Sequence, residues 1–272
     1  MYKSWFVSRE EPWIAYCKFF DMIRTCVVCS KIEGVPIEII FAGESRTRLK
    51  RFDISKDYKA NRKPSLNLEF REYRKNLVYL LEKLGWPLIS VPGAEADDVI
   101  ASFVKKYCYR CTCATKCENC ICADKYTTDV VIFSGDKDLQ QLLNWSRVKI
   151  YLGPRYFVTR EKFEKTYGID VEDFYIYKAL VGDKSDNIKG VIGFGPAKAK
   201  TSILNGTVAE DIWEMGGEEA FNDFKTSLAL IKLDYNCDIS GKEFVNKHDI
   251  SEIEFIDKRI LFEVKKLLLE LN

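Results

Sequence analysis

Three short apolar runs, each stopping at acidic residues and each followed by a helical pattern, constrain this chain more than any other feature. They are VPIEIIFAGES, which ends at Glu44, WPLISVPGAEADD, which ends at Glu95, Asp97 and Asp98, and DVVIFSGDKD, which ends at Asp136 and Asp138. Continuous apolar strands alternating with helices belong in a parallel sheet covered on both faces. In such sheets, ligand-binding groups gather beyond the carboxyl ends of the strands. Strands are predicted over 36–42, 86–91, 130–134 and 148–152, and helices over about 9–30, 65–84 and from Asp98 onward, where Val99, Ile100, Phe103 and Val104 share one side. Ser8 and Glu11 read as a capping box for the first helix, with Pro12 in its first turn, Trp13, Cys17, Phe20 and Ile23 facing inward, and Gly34 and Pro36 ending it. The fold class is therefore α/β, a mostly parallel sheet with helices on both faces. From residue 160 the pattern is helical, with Thr159 placed to cap and Gly168 to stop the first of these helices.

With 272 residues, 47% of them apolar, the chain can bury a core of one α/β domain with a helical appendage or of two small domains. Lys and Arg number 42 against 41 Asp and Glu, so any attraction to nucleic acid must come from locally segregated charge. No apolar run reaches the length of a membrane span and the first residues lack a signal-peptide core, so a soluble, cytoplasmic monomer with no membrane partner is expected. A single histidine, His248, reads as an exposed side chain and argues against Ser-His-Asp, Cys-His or HExxH chemistry.

Acids at a helix start can simply cap it. Three together repel one another and call for a counter-charge. Asp183 and Asp186 follow a helix predicted from about 171, at the end where its dipole disfavours acids, so capping does not account for them. Glu44, Glu95, Asp97, Asp98, Asp136, Asp138, Asp183 and Asp186 thus form four clusters that the layout can bring to one rim. Oxygen ligands without His or Cys suit Mg²⁺ or Mn²⁺. Two such ions about 4 Å apart can activate water and stabilise the leaving oxygen of a phosphodiester. Residues 45–64 carry eight Lys and Arg, with Phe52 and Tyr58 interleaved, which reads either as a nucleic-acid surface or as a solvated loop. In GVIGFGPAKAKTSI, Gly190, Gly193 and Gly195 form a turn opening a helix whose N–H groups, with Lys198 and Lys200, can hold a phosphate; a plain helix connector is the alternative.

YKANR (58–62), GAEADD (93–98), SGDKD (134–138), VGDKSDN (181–187) and GVIGFGPAKA (190–199) resemble, in order and spacing, the signatures of the phage flap endonucleases and of the 5′ nuclease domain of bacterial DNA polymerase I. The resemblance spans roughly residues 30–210. It implies a PIN-like core over 1–158 with an arch-like basic region at 45–75, and a helical DNA-binding part over 159–272 with a helix-hairpin-helix at about 183–204. It also implies a divalent-metal-dependent 5′ to 3′ exonuclease or flap endonuclease, with the eight carboxylates on two metal ions, acting in a bacterial or phage-infected cell. Its substrates would be 5′ flaps, nicked or gapped duplex, or RNA–DNA primers. By the same resemblance Arg51, Lys59 and Arg62 act near the scissile phosphate, Tyr58, Lys63 and Lys184 contact DNA with the glycine turn and its lysines, and a K⁺ ion can sit at the helix-hairpin-helix. Family members begin with a strand ending in Asp-Gly, whereas here no acid precedes Glu10, and Glu44 stands where the family has Asp. Two readings follow: an active nuclease, the chain being an N-terminally truncated reading of its gene, or a catalytically impaired flap-binding protein. An unrelated metal phosphatase is disfavoured, since a small monoester would need neither the basic stretch nor the phosphate-holding turn.

The segment CYRCTCATKCENCIC, where relatives have a short linker, carries Cys108, Cys111, Cys113, Cys117, Cys120 and Cys122. The CxxC pairs Cys108/Cys111 and Cys117/Cys120 permit a structural Zn²⁺ site, with free thiols or disulfides as alternatives. Cys26 and Cys29 read as packed helical thiols, and Cys17 and Cys237 as core residues.

Overall fold

The computed structural model describes residues 11–31, 37–62, 68–86, 88–108, 129–145, 147–153, 156–240 and 257–271. Ser8, Gly34, Pro36, Lys63, Cys111, Cys113, Cys117, Cys120, Cys122 and His248 lie outside the described residues. Helix α1 (Pro12–Ser30) begins with proline at a position whose N–H would have no helical partner anyway. Its inner face carries Phe20, Ile23 and Val27 into a core shared with Tyr73, Leu77 and Leu81 of α3 (Leu68–Lys83) and Ile260, Val264 and Leu267 of α9 (Lys258–Leu271). Trp13 and Cys17, expected inside, are half-buried at its margin. Gly85, at φ 78°, turns the chain after α3.

Strand β1 (Phe41–Ala42) pairs in parallel with β2 (Leu88–Ile89), and β3 (Val130–Phe133) in parallel with β4 (Val148–Gly153). A further strand, β5 (Tyr156–Val158), returns antiparallel along β4. The parallel pairings follow the alternation in the sequence, but among the described residues they form two separate ladders. The predicted strands over 36–42 and 86–91 shrink to two residues each.

Helix α4 (Ala96–Tyr107) buries Val99, Phe103 and Val104. After β3 the expected α-helix is a 3-10 helix, Asp138–Asn144, with Leu139 and Leu142 fully buried. Their spacing of three matches the three-residue turn of that helix. Helix α5 (Arg160–Tyr167) starts where the Thr159 hydroxyl accepts from Lys162 N at 3.3 Å and stops at Gly168, φ 67°. A 3-10 turn, Val171–Asp173, leads into α6 (Phe174–Val181), followed by α7 (Pro196–Asn205) and α8 (Val208–Ile231), which is kinked at Gly216 and Gly217. Leu180, Val191, Phe194, Ala199, Ile212 and Ala220 form the core of this helical part. A smaller cluster, Tyr58, Ala179, Ile188, Leu230 and Ile231, joins the basic segment to α6 and to the end of α8. That joint positions the site.

Candidate active site

The acids of α4 divide between two environments. Asp98, 3% exposed, accepts from Arg51 through both oxygens at 2.6 and 2.8 Å, from Glu95 N at 3.2 Å and from Asp234 N at 2.9 Å. Arg51, at the start of the short helix α2 (Arg51–Ile54), gives its remaining N–H groups to Glu95 Oε2 at 2.7 Å, Leu230 O at 2.8 Å and Lys232 O at 3.2 Å. Every donor of the guanidinium and every acceptor position of Asp98 is taken within the protein. The sequence put Arg51 beside a phosphate and Asp98 on a metal. In the structure they are a buried clamp joining α2, α4 and the end of α8, because a desolvated guanidinium requires carboxylates around it.

Around this clamp lie Tyr58, Lys59, Arg62, Glu95 and Asp186. The Tyr58 hydroxyl sits 2.9 Å from Glu95 Oε2 and 3.2 Å from Asp186 Oδ2. Burial first, and then the charges of Glu95 and Asp186, push its pKa upward. Lys59 has φ 56° and donates its backbone N–H to Asp186 O at 2.9 Å. Its ammonium contacts Glu95 Oε1, lies 3.7 Å from Asp186 Oδ2 and stands over the Tyr58 ring. Arg62, half-exposed, contacts Asp186 Oδ1. Glu44 is exposed beyond β1, near enough that its charge acts on Arg62.

On the outer side, the Lys178 ammonium of α6 joins Asp138 Oδ1 to Asp183 Oδ2, the latter at 2.6 Å. Asp183 Oδ1 also accepts from Ser185 N at 2.8 Å and Ser185 Oγ at 2.6 Å. Burial opposes the ionised form of Asp183, but the bonds from Lys178 and Ser185 outweigh it and hold the pKa at about 2. Asp136 Oδ1 accepts from Asp138 N at 2.9 Å. Burial pushes the Asp138 carboxyl up against the pull of Lys178. Lys178 and Ser185 were not singled out in the sequence. The available signal was one cation within the apolar stretch FYIYKALV, easily read as the solvent face of a helix.

Asp97 lies between the two groups. Burial, then the charges of Asp136, Glu95 and Asp138, raise its pKa to about 8, with Lys59 opposing. Among the described residues it has no ion-pair partner, and no three acids or thiols close on a point as a ready-made metal shell. Lys59, Lys178 and Arg62 neutralise its neighbours. The crowded Asp97 carboxylate, with hard oxygen donors around it, fits a divalent cation. A proton held by the folded chain up to about pH 8, against a reference value of 3.8, stabilises the metal-free fold below pH 4, and that contribution is lost as pH rises to about 8. A cation must displace that proton. Calorimetric titration with Mn²⁺ should therefore show affinity rising by about tenfold per unit between pH 6 and 8, with proton release; an affinity flat in pH rules out Asp97 as a ligand.

The other predicted residues are more dispersed. Gly190 and Gly193 have φ of 72° and 79°, and Gly195 precedes the proline that opens α7. Lys198 stands over the ring of Phe194, within the glycine turn, and 2.9 Å from Met215 Sδ, whereas Lys200 lies against Gly168. Lys184 is exposed. Cys108 ends α4 inside a hydrophobic cluster, where burial and then Asp129 push its thiol up to about 11 in the metal-free protein. Cys26 and Cys237 are buried, while Cys17 and Cys29 are half-buried.

Parallel strands flanked by helices, with acids gathered past their ends and lysines and arginines set among those acids, make up the site. Residues 1–168 match the family model described as 5′-3′ exonuclease, N-terminal resolvase-like domain, and the chain belongs to that family. It is 28% identical over 288 residues to a 5′-3′ exonuclease of Aquifex aeolicus, spanning 100% of this chain and 92% of that protein. It is 30% identical over 207 residues to the thermostable DNA polymerase I of Thermus thermophilus, covering 76% of this chain but 22% of the polymerase. Its fold matches the bacteriophage T5 flap endonuclease, solved as a pseudo-enzyme-product complex with DNA and metal ions, at a TM-score of 0.60 and 21% identity over 94% of this chain and 90% of that one.

Proposed function

We propose that this chain is a divalent-cation-dependent nuclease that hydrolyses phosphodiesters in 5′ flaps or RNA–DNA primers, as an exonuclease or a flap endonuclease. The observation that carries this reading is Asp97, set among Glu95, Asp136 and Asp138 without a cation of its own. Asp97, Asp136, Asp138 and Asp183, with Glu95, Asp186 and Glu44 beside them, would hold two Mg²⁺ or Mn²⁺ ions. When bound, these supply Lewis acidity and an activated water. Lys59 and Arg62, at the mouth of the site, donate to the phosphoryl oxygens where negative charge develops. Arg51 and Asp98 act from behind, fixing Glu95. The glycine turn before α7 grips duplex backbone through its N–H groups, with a K⁺ ion as a further ligand of that turn. The T5 enzyme's complex with DNA and metal ions supports the substrate class.

A second reading is favoured by a specific observation: among the described residues, lysine and arginine already neutralise most of the acids, as in a flap-binding protein impaired in cleavage. A labelled 5′-flap substrate with and without Mg²⁺ separates the two. Cleavage that requires Mg²⁺ and disappears in Asp136→Ala supports the enzyme; tight binding with no cleavage supports the binding protein. Structural Zn²⁺ on the cysteine-rich segment would rest on Cys108, Cys111, Cys113, Cys117, Cys120 and Cys122, and metal analysis of reduced protein measures it.

A further inference from the structure

Two four-residue turns from distant parts of the chain face each other beside the acid rim. In the first, Ala60 N donates to Asp57 O at 3.0 Å; in the second, Asn187 N donates to Lys184 O at 3.5 Å. An asparagine side chain from each segment reaches the carbonyl that opens the other's turn. Asn187 Nδ2 donates to Asp57 O at 2.7 Å, and Asn61 Nδ2, one residue past the first turn, donates to Lys184 O at 2.5 Å. From the middle of the first segment Lys59 N donates to Asp186 O, in the middle of the second, at 2.9 Å. Three bonds thus clasp segments that lie 123 or more residues apart.

The clasp fixes a backbone shape that is costly for one of its members. Lys59 and Asn187 have φ of 56° and 57°, a region that asparagine tolerates and lysine does not. Asn187 supplies both the shape and a donor, whereas Lys59 is kept there by its bond to Asp186. Each turn also carries chemistry at its third position. The Lys59 ammonium contacts Glu95 Oε1 and lies 3.7 Å from Asp186 Oδ2, and Arg62, which follows Asn61, contacts Asp186 Oδ1. Asp183 belongs to the same rigid loop as Asp186, because Asp183 and Ile188 exchange both backbone hydrogen bonds at 2.8 Å. Any slip between the two turns therefore changes the distance from Lys59 and Arg62 to both acids. Ordinary turn caps would not do this: a cap serves its own turn, whereas each of these amides serves the other. Both asparagines are exposed, where one hydrogen bond adds little to global stability, so their contribution lies in geometry. We infer that Asn61 and Asn187 are positioning residues, which hold the phosphate-facing cations Lys59 and Arg62 in register with the metal-holding acids Asp183 and Asp186. The inference rests on the nuclease reading and adds to it the groups that set this register.

Three measurements test it together: single-turnover cleavage of a 5′ flap by saturating protein with Mg²⁺, flap binding by fluorescence anisotropy without Mg²⁺, and urea unfolding. Asn187→Gly keeps a residue that accepts positive φ and removes only the amide. Asn61→Ala removes the other donor. Each should lower the single-turnover rate about 10- to 100-fold, since a misplacement of about 1 Å can cost about 100-fold, and should leave the dissociation constant and the urea midpoint close to those of the wild type. Asn236→Ala, which removes an exposed hydrogen bond from Lys105 on α4, should leave the rate unchanged. A rate loss matched by an equal loss of affinity would make the asparagines DNA contacts, and one matched by a lowered urea midpoint would make them structural supports; either overturns the inference. Wild-type rates in both variants, or an equal loss in Asn236→Ala, overturn it as well, while Mg²⁺-dependent cleavage by the wild type leaves the nuclease reading standing. If the wild type cleaves no flap with Mg²⁺, both fall.

Discussion

Asp97→Asn should abolish cleavage of a 5′ flap and at the same time raise the melting temperature of the metal-free protein. Removing a carboxylate that shares a metal withdraws several kcal/mol of charge stabilisation from the transition state, on the order of a thousand-fold in rate. The opposite sign for stability follows from the same crowding. Asp97 is held at about 8 by desolvation and by Asp136, Glu95 and Asp138, so at pH 8.5 its charge works against the fold. An amide of the same shape removes that repulsion, and a chain of this length gains about 2–4 °C for each kcal/mol. Single-turnover cleavage and thermal melts in EDTA read the two effects. Lost activity with a lowered melting temperature would assign Asp97 to structure; full activity would remove it from the site.

Arg51→Ala should unfold the protein at a markedly lower urea concentration. The substitution leaves Asp98 and Glu95 buried without their cation, and breaking a buried pair from one side costs about 3–5 kcal/mol. Arg62→Ala, whose side chain is 48% exposed at the mouth of the site, should change the urea midpoint far less and depress cleavage more. The comparison is diagnostic because the resemblance to other nucleases places Arg51, Lys59 and Arg62 together near the phosphate. An Arg51→Ala protein with a wild-type midpoint and a reduced rate would restore Arg51 to that role and refute the buried clamp.

Much of this could be read from the sequence because strand ends and acids coincide there. The runs ending at Glu44, Glu95 and Asp136 announce parallel strands, and β1, β2 and β3 lie within them. Thr159 and Gly168 bound α5 because capping depends on one or two residues. What the sequence could not show depends on contacts between distant segments. Asp97 and Asp98 are neighbours of one residue type, yet Asp98 faces Arg51 and Asp234 while Asp97 faces the acids of β3; a helical rotation of about 100° separates these fates, and only packing fixes its origin. Lys178 gains its role from Asp138, which opens the 3-10 helix after β3.

The pairing of α1 with α9 has a consequence for biosynthesis. Lys31 Nζ donates to Glu270 O at 3.0 Å, and Phe20, Ile23 and Val27 share one core with Val264 and Leu267. α3 offers the apolar face of α1 a partner early in synthesis, but the share of that core supplied by Ile260, Val264 and Leu267 closes only after α9 has been made. The α1–α9 contact therefore adds a step of long sequence separation to folding, and until it forms the part of α1 that α9 covers is the surface a chaperone or a misfolded neighbour would meet.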